Sequence, residues 1–198
     1  MKPSGRWIVA LTGASGMRYG LSLLRALGSS SAVQEVHVMV SEAGQRVLAE
    51  EEDLKYSPSN PAALLSEPSD KFSFFSVKDI GAPCASGTFL CDGMVVVPCS
   101  MATLAAIASG FSQNLIHRAA DVTMKEGRKL ILVPRETPLS AVHLENMLKL
   151  AQLGVSIVPA MPGFYSRPDS IDDLIDMQVM KILDIMRVDN NQSKRWCE

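Results

Sequence analysis

Residues 135–138 read Arg-Glu-Thr-Pro and follow directly on the apolar run Leu130-Ile131-Leu132-Val133-Pro134. A run of leucine and β-branched residues reads as a core strand, and ligands of open α/β sheets sit in the crevice beyond the carboxyl ends of such strands. An arginine fork and a carboxylate at that edge, Arg135 and Glu136, can hold a phosphate and move or position a proton. By itself the tetrapeptide is equally an ordinary solvated turn closed by Pro138.

Other segments place similar chemistry after strands. Thr12-Gly13-Ala14-Ser15-Gly16 follows an apolar stretch and opens a helix. Its small residues let the backbone approach a ligand, and free amides at the helix start favour a phosphate. The dinucleotide fingerprint Gly-x-Gly-x-x-Gly is absent, because Ser15 stands where its second glycine belongs. Gly13, Gly16 and Gly20 suggest a short-chain reductase, but the chain has no Tyr-x-x-x-Lys pair for that catalysis. Pro98-Cys99-Ser100-Met101-Ala102-Thr103 is a second junction, with Ser100 as a natural N-cap. His117, Arg118, Lys125 and Arg128 either bring cations to the same edge or display a solvated face; His117 and Arg128 are assigned to the solvated face, and Lys125 stays open. Pro159-Ala160-Met161-Pro162-Gly163-Phe164-Tyr165 is a stiff loop whose apolar faces can line a substrate and whose Tyr165 hydroxyl can bind an anion. Lys181 and Trp196 carry no signal by themselves.

Hydrophobic patterning supplies the elements that must position these residues. Strands are predicted over 7–11, 36–40, 72–77, 94–97, 130–133 and 155–158, and helices over 15–27, 42–52, 100–109, 112–125, 140–153 and 170–186, with one turn of helix from Pro61. His37 lies inside the second strand and reads as a packed histidine rather than a ligand. Three strands run into proline at Val97-Pro98, Val133-Pro134 and Val158-Pro159, where loss of a ladder donor is expected to end the sheet. Strands alternating with helices imply right-handed crossovers and a Rossmann-like, doubly wound parallel sheet in a single domain, with a mobile tail from about residue 188.

Composition excludes several classes. A chain of 198 residues with 47% hydrophobic and 20% charged residues fits one globular domain. A formal net charge of −2 gives no electrostatic case for nucleic acid or acidic membranes. Cys84, Cys91, Cys99 and Cys197 form no Cys-x-x-Cys pair, so neither zinc nor a disulfide framework is expected. No apolar run approaches the ~20 residues of a membrane helix, and a cytoplasmic protein is expected.

Taken in order, these segments resemble the UbiX/Pad family of flavin prenyltransferases over almost the whole chain. The resemblance is carried by Thr-Gly-Ala-Ser-Gly at 12–16, Val-Ser at 40–41, Pro-Cys-Ser-Met-Ala-Thr at 98–103, Asn-Leu-Ile-His-Arg-Ala-Ala-Asp-Val at 114–122, Arg-Glu-Thr-Pro-Leu at 135–139 and Pro-Ala-Met-Pro-Gly-Phe-Tyr at 159–165. Related flavin-dependent cysteine decarboxylases typically carry Pro-Ala-Ser-Ala-Asn-Thr and Pro-Ala-Met-Asn, and this chain has neither.

The resemblance implies a homododecameric flavoprotein that transfers dimethylallyl from dimethylallyl phosphate to reduced FMN without a metal. Its product is prenylated FMN, made for a UbiD-type decarboxylase in ubiquinone biosynthesis or aromatic acid decarboxylation, with a flavin reductase supplying reduced flavin. By motif position, Gly13, Ala14, Ser15, Ser41, Ser100, Met101, Ala102, Thr103 and Arg135 would hold FMN. Lys125, Arg135, Glu136, Tyr165 and Lys181 would surround the prenyl phosphate, some from a neighbouring subunit, with Trp196 as the aromatic residue of the C-terminal segment. Ser15 and Glu136 would handle protons during ring closure, and Glu51 joins the site by its place in the acidic run 50–53. Lys181 stands where the family often has arginine, which exchanges a bidentate fork for a point charge. Two alternatives stay open: a flavin-dependent decarboxylase of the same fold, and a non-enzymatic flavin-carrying subunit of a decarboxylase complex.

Overall fold

A computed structural model of the chain describes residues 5–65 and 69–193. Six strands, β1 (Arg6–Leu11), β2 (Glu35–Val40), β3 (Phe72–Phe75), β4 (Gly93–Cys99), β5 (Lys129–Pro134) and β6 (Ser156–Ile157), form one parallel sheet in the order β3-β2-β1-β4-β5-β6. The helices are α1 (Met17–Ser29), α2 (Glu42–Glu52), α3 (Met101–Ser109), α4 (Leu115–Lys125), α5 (Ala141–Gln152) and α6 (Ile171–Met186), with 3-10 turns at Pro61–Leu64 and Pro83–Ala85. This is the doubly wound architecture expected of the sequence, and its strand order reverses between β1 and β4.

Both faces of the sheet are covered, which is why the strands are apolar throughout rather than alternating. Trp7, Val9 and Leu11 of β1 pack on one side with Leu23, Leu24 and Leu27 of α1 and Val179, Ile182 and Leu183 of α6. Ile8 and Ala10 point the other way, toward Leu104 of α3, Ile116 and Ala119 of α4 and Leu150 of α5. His37 is packed as expected: it is 2% exposed, with Phe75 and Phe89 ring centroids at 4.7 and 4.5 Å and Nε2 2.7 Å from Glu35 Oε1.

Several boundaries differ for local reasons. Pro98 does not end its strand: β4 continues to Cys99, which pairs with Pro134 after a register shift. Proline removes a donor but not an acceptor, and the Pro98 carbonyl accepts from both the amide and the hydroxyl of Thr12. Helix α4 starts three residues later than predicted, since Asn114 caps it by accepting from the His117 amide at 3.0 Å, while Leu115 N donates to Val77 O at 2.8 Å. Strand β6 is only two residues long, yet its ladder is prolonged by Val158 N to Leu132 O at 2.8 Å and Ala160 N to Pro134 O at 3.0 Å. Helix α6 starts as predicted after Ser170, which forms a reciprocal capping box with Asp173. The tail predicted from about 188 lies only partly within the described residues.

Helix α1 approaches β4 closely because Gly20 has no side chain. A Cβ there would lie 2.7 Å from Val97 O and 3.0 Å from Leu11 Cδ2. Alanine is the better helix former by ~1 kcal/mol, but a collision with backbone in a packed core typically costs about 1–3 kcal/mol. Gly20→Ala is therefore expected to lower the Tm. Thermal unfolding followed by circular dichroism checks this, and an unchanged or raised Tm contradicts the close-packing account.

Candidate active site

The two halves of the sheet meet at Thr12. Its amide and its hydroxyl both donate to Pro98 O, at 3.1 and 2.9 Å, and the same hydroxyl accepts from Ser100 N at 2.8 Å. This buried side chain thereby fixes the turn 13–16 against the start of α3. Gly13 is required by packing, since a Cβ there would collide with the Ala43 methyl of α2. Gly16 is required by conformation, with φ of 104° at the N-cap of α1.

The α1 amides are not free, contrary to the sequence expectation. Glu51, at the end of α2, accepts from Gly16 N at 2.9 Å and Met17 N at 3.0 Å. Desolvation pushes its carboxyl upward, but hydrogen bonds from the Ser15 side chain and the Met17 and Gly16 amides, with the charge of Arg135, hold it below the ordinary glutamate value overall. A carboxylate 35 residues away caps the helix in place of an external phosphate. Glu51 is thus at the site as its motif position implied, and its role as a cap on α1 is one that the acidic run 50–53 gives no local signal for.

Arg135 reaches the same turn from the end of β5. Its Nε donates to Ser15 O at 3.3 Å, and its backbone N donates to Cys99 O at 3.4 Å. Glu136 is exposed beside it and accepts from Thr137 N at 3.0 Å. Ser41 caps α2, accepting from Gly44 N at 2.9 Å, while its own N donates to Leu11 O at 2.9 Å. Ser100 caps α3, accepting from Thr103 N at 3.3 Å and donating to Thr103 Oγ1 at 3.1 Å. Gly13, Ala14, Ser15, Ser41, Ser100, Met101, Ala102, Thr103, Arg135 and Glu136 therefore gather at the strand ends beside the topological switch point. The loop 159–165 adjoins them through Ala160 N on Pro134 O, and carries Tyr165, 59% exposed.

Three predicted residues are not brought to this edge within the chain. Lys125 lies four residues before β5 begins, at the amino edge, with Nζ 2.6 Å from Glu126 Oε1. Lys181 is exposed and about 15 Å along α6 from its start; that helix runs to the amino edge, where Lys129 Nζ donates to Ile185 O at 2.7 Å. Trp196 and Cys197 lie outside the described residues. Two assignments to a solvated face are corrected. His117 is 9% exposed, and burial lowers its pKa. Arg128 clamps the segment before β4, donating from Nη1 to Phe89 O and from Nη2 to Gly87 O, each at 2.6 Å. Helical spacing had suggested an outward cation, but the carbonyls of that loop are its partners. Cys84, Cys91 and Cys99 are buried free thiols, with Cys84 pushed up to about 11 by burial, so they are poor nucleophiles. Among the described residues no group of His, Cys, Asp and Glu is arranged to hold a metal ion, and no helix is long and apolar enough to cross a membrane.

The flavoprotein family model matches residues 1–184. Flavin prenyltransferase LpdB of Lactiplantibacillus plantarum is 50% identical over 191 residues, covering 96% of this chain and 97% of that protein. This chain belongs to the UbiX/Pad family of flavin prenyltransferases. Among solved structures, AnUbiX (PadA1) in complex with FMN and dimethylallyl pyrophosphate superposes with a TM-score of 0.87 at 44% identity, covering 98% of this chain and 97% of that one. A dodecameric FMN-dependent UbiX-like decarboxylase from Escherichia coli O157:H7 gives 0.88 at 42% identity, covering 98% and 100%. As a flavoprotein of this family the chain binds FMN, and the switch-point crevice suits that ligand: its walls are small residues, two serine-capped helix starts and the Arg135 guanidinium.

The Glu51 contact is testable without a ligand. Because its folded-state pKa is depressed, its stabilisation is present above the unfolded glutamate value of ~4.3 and is lost as pH falls through the lower folded value. Glu51→Gln is expected to cost about 1 kcal/mol at pH 7, as loss of a helix cap, and to flatten the acid limb of stability against pH. Urea titrations from pH 7 to pH 3 check this; parallel wild-type and variant curves would remove Glu51 as an anionic cap.

Proposed function

We propose that this protein transfers the dimethylallyl group of dimethylallyl phosphate to reduced FMN, breaking the prenyl carbon–oxygen bond, releasing phosphate and giving prenylated FMN with a fourth ring. The observation that carries this reading is the cluster of Ser15, Glu51, Arg135 and Glu136 at the switch point, in a family whose relative AnUbiX holds FMN and dimethylallyl pyrophosphate.

Gly13, Ala14 and Ser15 let a flat ring approach the backbone, and Ser41, Ser100 to Thr103 and Arg135 supply hydroxyls, amides and a cation for the flavin. Reduced FMN supplies the nucleophilic ring. The residues of this chain stabilise the charge leaving with phosphate and keep water from an allylic centre of cationic character. Arg135 lies beside Glu136 for the first task, and the apolar loop at 159–165 serves the second. Ser15 is hydrogen-bonded to Glu51, so a proton accepted at its hydroxyl has a carboxylate behind it. Glu136 is a second proton acceptor at the same edge.

Lys125, Tyr165 and Lys181 serve as phosphate ligands, the two lysines supplied from a neighbouring subunit, with Trp196 as a further substrate-binding residue. The amino-edge position of the two lysines supports such an exchange, and so does the dodecameric E. coli relative. Prenylated FMN passes to a UbiD-type decarboxylase, and a flavin reductase supplies the reduced substrate in the cytoplasm.

Anaerobic incubation with reduced FMN and dimethylallyl phosphate should give, by mass spectrometry, FMN plus one five-carbon prenyl unit; decarboxylation of an acid without that product would favour the decarboxylase alternative. Glu136→Gln should retain FMN but slow single-turnover product formation ~100- to 10,000-fold. An unchanged rate removes Glu136 from the catalytic residues. Lys181→Ala should weaken the donor with FMN affinity intact, whereas Lys181→Arg should be tolerated or bind it more tightly. Equal donor affinity in wild type and Lys181→Ala ends that role.

A further inference from the structure

The loop that carries Tyr165 has few anchors of its own. Pro159 and Pro162 lack backbone donors, and Met161, Phe164 and Tyr165 are 67%, 70% and 59% exposed. Ala160 N ties its start to Pro134 O, and beyond that point it is supported from below by two adjacent buried residues of α6. Gln178, 5% exposed, donates from Nε2 to Pro159 O at 3.0 Å. Met177, also 5% exposed, accepts the Gly163 amide on Sδ at 3.2 Å. The Tyr165 ring lies back over Gly163, so that a Cβ on that glycine would be 2.6 Å from Tyr165 Cε1 and 3.5 Å from Met177 Sδ. A path of contacts thus runs from α6 through the loop backbone to the phenol.

We propose that Gln178 and Met177 are positioning residues that set the Tyr165 ring and through it the affinity for the prenyl donor. The inference rests on the prenyltransferase reading and on Tyr165 as a donor ligand. The side-chain types are those the geometry demands. A carbonyl can only accept, so the group facing Pro159 O must donate, which glutamine does and glutamate does not. A thioether is a weak acceptor that can take the Gly163 amide, as it does here at 3.2 Å. The flavin-holding residues at 12–16, 41 and 100–103 stand on other elements, so a defect here should fall on the donor and not on FMN.

The test uses the assembled, FMN-loaded protein with dimethylallyl phosphate as donor. Gln178→Met keeps the length and bulk of the side chain but removes the donor to Pro159. Its apparent KM for dimethylallyl phosphate should rise about ten-fold, with FMN Kd within two-fold of wild type. Tyr165→Phe should raise the same KM, and the double variant should be no worse than the worse single one, since both act through one hydroxyl. Met177→Leu, which conserves volume, should move KM in the same direction by less and provides the answer if Gln178→Met does not assemble. A lowered Tm with unchanged donor KM, additive effects in the double variant, or an equal loss of FMN affinity each overturns the positioning role. If wild type itself forms no prenylated FMN, the prenyltransferase reading fails and takes this inference with it. An active wild type with unaltered Gln178→Met and Met177→Leu kinetics overturns the inference alone.

Discussion

The Thr12 hydroxyl closes the seam on which the site is built. From β1 and β4 the sheet grows outward in opposite directions, so the crossovers on either side carry the chain away and leave a crevice between them. Nothing in a parallel ladder fixes how the two strand ends diverge above that crevice. Thr12 does so by satisfying Pro98 O and Ser100 N together, in a place where either group left unpaired would cost about 1–3 kcal/mol. The turn 13–16 and the start of α3 are therefore set relative to each other by the amide and hydroxyl of one residue, Thr12, together. Arg135 extends the same logic by holding the end of β5 to Ser15.

This seam also bears on which ligands the fold accepts. Dinucleotide-binding sheets of the same strand order place a pyrophosphate against the first helix amides. Here those amides belong to Glu51, and a second anion would meet a carboxylate at the place where it needs donors. Serine in place of the second fingerprint glycine fits that arrangement, since its side chain bonds to the same carboxylate. The other helix starts at this edge, at Ser41 and Ser100, are capped by their own serines and, among the described residues, carry no carboxylate on their first amides. A mononucleotide flavin, with one phosphate and a flat ring, matches such a division better than NAD.

How much of this was legible in the sequence depended on the range of each interaction. Helix α2 was read to its observed ends, because Ser41 and the charged run through Glu52 are local signals. The Arg135-Glu136 edge was found because a buried strand leads directly into it. Glu51 was placed at the site by its motif position but not as a helix cap, since its partners lie on a different element and three further acidic residues flank it. Arg128 was misread for a related reason: helical and flanking positions say which way a cation points, whereas loop carbonyls at 87 and 89 decide what it binds. Pro98 was misread because proline forbids a donor, not an acceptor, and the carbonyl side of the ladder remained available.

The division of cations between the two sheet edges ties the proposed chemistry to assembly. Arg135 stands at the carboxyl edge, while Lys125 and Lys181 lie toward the amino edge of the same sheet. No small hinge motion carries a residue past a sheet covered on both faces. If these lysines ligate the donor phosphate as proposed, they do so in the crevice of another copy. Val142, Leu144, Leu148 and Leu153 of α5 and its end are more than half exposed, as are Phe164 and Ile171. Apolar surface of that extent is uncommon on monomers and suits contact between copies. On that basis donor binding and assembly become linked, because the donor stabilises only those arrangements in which a second chain completes its phosphate site. Dilution should then weaken donor binding before it weakens FMN binding, since the proposed flavin residues gather within one chain and the two lysine ligands of the phosphate do not.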